Sequence, residues 1–214
     1  MNSKEVKDYS PIVWALERFF YYLQWCSISS VFKIREHVQA GTVDKEVTKR
    51  RSRQIEYYIF GWFVAEILAL PTIGTSNWLD KLILFCAVYR LLDILQVTMN
   101  VNLFGRLRID VEPESVAFLA RTVVLSVWNF IEAMILFGLV YRANIHLLNN
   151  AKTICDALYF SVVTQLTIGY GDLTPTSYLR AIIAAQGVLG FLVGIFAVSR
   201  VIAFLPKPQS VIGD

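Results

Sequence analysis

The stretch Thr167-Ile168-Gly169-Tyr170-Gly171-Asp172 decides how this chain is read. It stands between a short apolar segment and the last long hydrophobic one. Glycine lacks a Cβ, so Gly169 and Gly171 reach backbone angles closed to other residues and allow successive carbonyls to aim the same way. A row of such oxygens can replace the hydration shell of a cation. In that reading the carbonyls of Thr167, Ile168, Gly169 and Tyr170 form rings, with the Thr167 hydroxyl at the inner end.

Composition agrees with a site inside a membrane. Of 214 residues 56% are hydrophobic and 17% charged, with a net charge of +3 and a mean hydropathy of +0.51, more apolar than a soluble domain needs. Cys26, Cys86 and Cys155 form no paired framework and no metal spacing, and His37 and His146 lie far apart. No nucleophile, base and orienting group come together, so neither an enzyme nor a nucleic-acid partner is expected.

Upstream of the central stretch, Asp156 is expected to cap a helix from Ala157 through Leu166. At about 15 Å it is too short to cross a bilayer and too apolar to face water. Downstream, Tyr178 to Leu205 reads as a span. From the chain start, Met1 to Ser10 is polar and unlike a signal peptide. Pro11 to Phe32 reads as an amphipathic helix in the inner interface, with an added span or a helix packed on the protein as rivals. The cluster Lys49, Arg50, Arg51 and Arg53 either binds anionic lipid heads or only fixes orientation. Spans are expected from about Ile55 to Leu70, Trp78 to Val97 and Ser115 to Tyr141.

The Thr-Ile-Gly-Tyr-Gly-Asp motif resembles the selectivity filter of tetrameric potassium channels with one pore loop per chain. The resemblance covers Ser115 to Leu205 and implies an outer helix, a re-entrant pore helix, the filter and an inner helix. The expected fold is then an all-α membrane protein with four transmembrane helices per chain, assembled as a homotetramer. Its parts are a cytoplasmic basic segment (1–54), a helical hairpin (55–98), a linker (99–114), the pore module (115–205) and a short tail (206–214). Potassium is the implied permeant ion, bound at Thr167 to Gly171, with no other cofactor and with Asp172 supporting the filter. Gly190 falls where such channels often bend, although close helix packing explains the same glycine. Phe191, Gly194, Val198 and Ile202 share a face and are expected to line the cavity and gate. Val163 stands where several relatives carry a glutamate that pairs with the filter aspartate, so Asp172 needs another partner.

Charged residues inside spans are functional candidates because hydrocarbon disfavours them. Here they are Glu66, Arg90, Asp93, Arg121 and Glu132. At about 1.5 Å per residue Arg90 and Glu132 lie at similar depth, about 18 and 14 Å from the outer ends of their spans, with Glu66 nearer the surface. An Arg90–Glu132 ion pair follows, with Asp93 as second acceptor. One charge crossing about 100 mV gains only about 2.3 kcal/mol, and no span repeats arginine every third residue, so steep voltage gating is not expected. The basic residues place both termini in the cytoplasm of a cell-membrane protein.

Two other readings fit the motif less well. A channel-derived potassium transporter carries four pore loops in one chain with degenerate filters, and a non-conducting or partner-dependent subunit has no need of an intact one. Thr174 stands at the outer mouth where an aromatic ring would stack on quaternary ammonium ions. External tetraethylammonium should therefore block weakly in dose–response recordings; sub-millimolar block would contradict this.

Overall fold

The structure, a computed structural model, describes residues 11–26, 45–74, 77–100, 102 and 116–204. Helix α1 is Pro11–Cys26, α2 Lys45–Thr72, α3 Asn77–Met99, α4 Val116–Ala143, α5 Ile154–Gln165 and α6 Leu179–Phe204. Two short strands, β1 (Leu148–Asn149) and β2 (Thr174–Pro175), pair antiparallel with Leu148 opposite Pro175. The chain is an all-α membrane protein by architecture, the strands serving only to tie two loops together.

Among the described residues three helices are long and apolar enough to cross a membrane: Trp78–Met99, Val123–Ala143 and Leu179–Ile202, of 22, 21 and 24 residues. Each exceeds about 30 Å at 1.5 Å per residue, the thickness of a hydrocarbon core. The expected first span differs. It lies within α2, a 28-residue helix whose apolar stretch is interrupted by Glu56 and Glu66, and α2 is not among the three. The basic cluster stands on this same helix, so no break separates it from the apolar stretch; the side chains of Lys49, Arg50 and Arg51 lie outside the described residues, whereas Arg53 is exposed. Pro71 sits in the last turn of α2, which ends one residue later at Thr72, close to the expected end of the span. Asp80 of α3 then accepts from the Gly74 N–H at 2.8 Å and closes the turn between the two helices.

Helix α1 packs on α3 with Phe20 buried, while Trp14, Phe19 and Tyr22 remain exposed. The expected linker 99–114 and tail 206–214 lie almost wholly outside the described residues.

The core forms where α4, α5 and α6 meet. Ala133, Leu136, Phe137, Tyr141, Ala157, Phe160, Leu179 and Val193 are buried there and excluded from any outer surface. Helix α5 is 12 residues long, about 18 Å, and enters this core without crossing it. Gly138 lets it come close: a Cβ at that position would lie 2.6 Å from Leu158 Cδ2 and 3.5 Å from Leu158 Cα. Gly138→Val should therefore destabilise the fold by about 1–3 kcal/mol, the usual effect of forcing volume into a filled core. Gly61→Ala, where an added Cβ meets nothing within 4 Å, should cost nothing. Thermal unfolding of the two variants in detergent checks the difference.

Candidate functional site

Helix α5 begins one turn earlier than its sequence suggests. Thr153, not Asp156, is the N-cap: its hydroxyl accepts from the Asp156 N–H at 3.2 Å, while Asp156 Oδ2 accepts from the N–H groups of Thr153 at 2.8 Å and Lys152 at 2.7 Å. The T-x-x-D spacing makes a capping box, in which aspartate stands at the third helical position rather than at the cap. These backbone donors, Lys152 first, hold the Asp156 carboxyl below its ordinary range.

At the other end of α5 the chain folds back over the helix terminus. The N–H of Thr167 donates to Thr164 O at 3.1 Å, and those of Ile168 and Gly169 both donate to Val163 O, at 2.8 and 3.3 Å. No peptide in the described chain is cis. In a trans peptide the N–H and the preceding C=O point in opposite directions. The carbonyls of Leu166, Thr167 and Ile168 are therefore turned away from α5. Positive φ values at Gly169 (57°) and Gly171 (79°) continue the run, and Thr167 also has a φ of 57°. A left-handed conformation at a β-branched residue is strained and persists only where the surroundings hold it.

The two strands and four polar side chains brace the outer end. Asn150 donates to Asp172 O at 3.0 Å, Asn149 to Thr174 Oγ1 at 3.2 Å, Thr176 to Leu147 O at 2.9 Å and Tyr178 to Asn144 Oδ1 at 2.5 Å. Tyr159 of α5 lies with its ring parallel to that of Tyr170, centroids 6.4 Å apart, and Asp172 is held through its main-chain carbonyl by Asn150. Tyr159 was legible only as part of an apolar helix, since the ring it meets, Tyr170, is eleven residues away.

Beneath Thr167 a cleft of about 550 Å³ opens along α6, and Phe191, Gly194, Val198 and Ile202 all line it. Helix α6 runs unbroken past Gly190. An added Cβ at Gly190 would lie 2.8 Å from Gln165 Cγ, so in this state the glycine serves close packing of α6 on the end of α5. Sequence reasoning over charged residues alone missed the uncharged polar groups at this depth: Gln165, Ser161 and Gln186 are buried together beside Tyr141. A glutamine within an apolar span is the signal that would have found them.

In the hairpin the structure brings Arg90, Asp93 and Glu132 together. Arg90 Nε and Nη2 donate to the two Glu132 oxygens at 2.6 and 2.9 Å, and Nη1 to Asp93 Oδ2 at 2.5 Å. Tyr58 covers the guanidinium from α2, its ring centroid 5.4 Å away, and donates its hydroxyl to Asp93 at 3.4 Å. Glu66 departs from expectation. It is buried against Glu132, without a hydrogen bond of ordinary length among the described residues. Counting depth along one span could not show that α2 turns this face toward α4. The Arg121 side chain lies outside the described residues.

Residues 129–207 match the profile of a family described as Ion channel. Two pore potassium channel a of Oryza sativa subsp. japonica is 42% identical over 60 residues, covering 28% of this chain and 17% of that protein. Two-pore potassium channel 3 of Arabidopsis thaliana is 34% identical over 73 residues, 33% of this chain and 17% of the relative. Protein LctB of Geobacillus stearothermophilus is 37% identical over 54 residues, 25% of this chain and 40% of that protein. The chain thus spans only 17% of the length of the plant relatives, and no solved structure gives a significant match. The fold is that of a multi-pass, all-α membrane protein, and residues 129–207 of it resemble an ion-channel module. The matched stretch is thus similar to an ion-channel module and to parts of two plant potassium channels.

Removing one partner of a buried ion pair leaves an uncompensated charge, at about 3–5 kcal/mol. Arg90→Leu strands both Glu132 and Asp93 and should abolish stable folding. Glu132→Gln leaves Arg90 with Asp93 and should be milder. Size-exclusion recovery and unfolding temperature of the two variants test that order, and the reverse order would contradict it.

Proposed function

We propose that the chain is a potassium-selective ion channel acting as a homotetramer, with dehydrated K+ passing rings of carbonyls from Thr167 to Gly171. The observation that carries this reading is the peptide orientation at the end of α5. The N–H groups of Thr167, Ile168 and Gly169 are satisfied on the helix side, which turns the Thr167 and Ile168 carbonyls away from α5. One chain offers one such row, and a closed ring of oxygens needs several. The names of the plant relatives, both potassium channels, point the same way.

The surface next to the filter supports the assembly. Val188, Phe191, Ile195, Val198 and Ile202 recur at helical spacing on one face of α6, each about half exposed or more in the single protomer. Further copies would cover this stripe and enclose the cleft, whose narrow apolar end would close by dewetting. Asp172, its main-chain carbonyl held by Asn150, supports the filter's outer end. Helix α2 supplies the fourth span, both termini lie in the cytoplasm of the cell membrane, and Lys49, Arg50, Arg51 and Arg53 meet anionic lipid heads. Arg90 is bound on both sides by carboxylates and does not move in response to voltage.

Reconstitution of the purified chain in a planar bilayer, with a potassium gradient opposed by sodium, tests the proposal. The current should reverse near the potassium equilibrium potential. Current that reverses near zero would refute selectivity, and silence under all lipids and voltages would favour a partner-dependent subunit.

A further inference from the structure

Behind the filter, one carboxamide joins the three helices that hold it. Gln186 of α6 is fully buried. Its Nε2 donates to Ser161 O at 2.9 Å, Ser161 Oγ at 3.0 Å and Gln165 Oε1 at 3.2 Å, all on the last turns of α5. Its Oε1 accepts from Tyr141 Oη of α4 at 2.5 Å. The two α5 side chains reach on to α4: Ser161 Oγ donates to Met134 O at 2.6 Å, and Gln165 Nε2 to Phe130 O at 2.8 Å. The Gln186 carboxamide and the Gln165 carboxamide thus have both their oxygen and nitrogen ends engaged, deep among apolar side chains.

We infer that Gln186 is a positioning residue for the filter, acting through Gln165 and Ser161. The inference rests on the potassium-channel reading. Gln165 is the last residue of α5, two positions before Thr167, whose left-handed backbone needs external restraint. The Val163 carbonyl that takes two filter N–H groups belongs to the same turn. Moving this turn relative to α6 therefore moves the carbonyl row. Gly190, one helical turn below Gln186, completes the device, because only a hydrogen there leaves room for the Gln165 stem. Hydrogen bonds in a water-free interior have sharp directional preferences, and a buried partner left alone is costly, so the network holds one geometry.

Gln186→Met keeps the shape and removes both polar ends. Tyr141→Phe removes only the hydroxyl that orients the Gln186 oxygen. In planar bilayers with potassium opposed by sodium, Gln186→Met should lower the potassium-to-sodium permeability ratio on the order of tenfold, the equilibrium ratio corresponding to one lost buried hydrogen bond. Tyr141→Phe should lower it less, and the double variant should be no worse than Gln186→Met, since both act through one carboxamide. A role confined to folding would reduce the number of channels and leave the ratio unchanged. Where Gln186→Met does not assemble, Tyr141→Phe carries the test. Unaltered selectivity in the assembled variants overturns the assignment of Gln186 alone, whereas a parent chain that fails to select overturns the potassium reading itself.

Discussion

A peptide unit cannot turn its carbonyl toward one side without turning its N–H toward the other. The candidate filter depends on that constraint. Oxygen atoms offered to a cation imply N–H groups on the opposite side, and in a membrane interior those donors must find protein acceptors. Helix α5 supplies them. Its final carbonyls lack partners within the helix, and Val163 and Thr164 accept from Thr167, Ile168 and Gly169. The helix end and the filter therefore satisfy each other, and neither is well formed alone.

Holding a short helix at that depth requires close packing without water. Two glycines make room for it on opposite sides. Gly138 of α4 admits Leu158, and Gly190 of α6 admits Gln165. Polar groups then set the register that apolar packing leaves undetermined. Leucine and valine tolerate small slides, whereas the contacts of Gln186 with Ser161, Gln165 and Tyr141 do not. The outer mouth repeats the logic with Asn149, Asn150, Thr174 and Thr176, on or beside the paired strands.

The hairpin poses a different electrostatic problem. Arg90 is satisfied by two carboxylates and a tyrosine ring, contributed by three helices. Such a group stabilises less than it specifies: packed hydrophobic residues would hold these helices as firmly but would not select one rotation of each. The cluster fixes how α2 and α3 face α4, and through α4 it is continuous with the packing behind the filter.

The sequence alone determined the parts that depend on local chemistry. Two glycines flanking a tyrosine, an apolar helix too short to cross, and the apolar lengths of α3, α4 and α6 were all legible, because conformational freedom and hydrophobic span are properties of consecutive residues. Equal depth on two spans was enough to suggest that Arg90 and Glu132 meet. Tertiary structure decided which faces meet. It buried Glu66 against Glu132 and set the Tyr159 ring parallel to that of Tyr170. It also gathered Tyr141, Ser161, Gln165 and Gln186 into one network and set Gly190 against a side chain. Each of these depends on the rotation of one helix about its axis relative to another. Periodicity along a uniformly apolar helix carries little information about that angle, so only packing against neighbours could fix it.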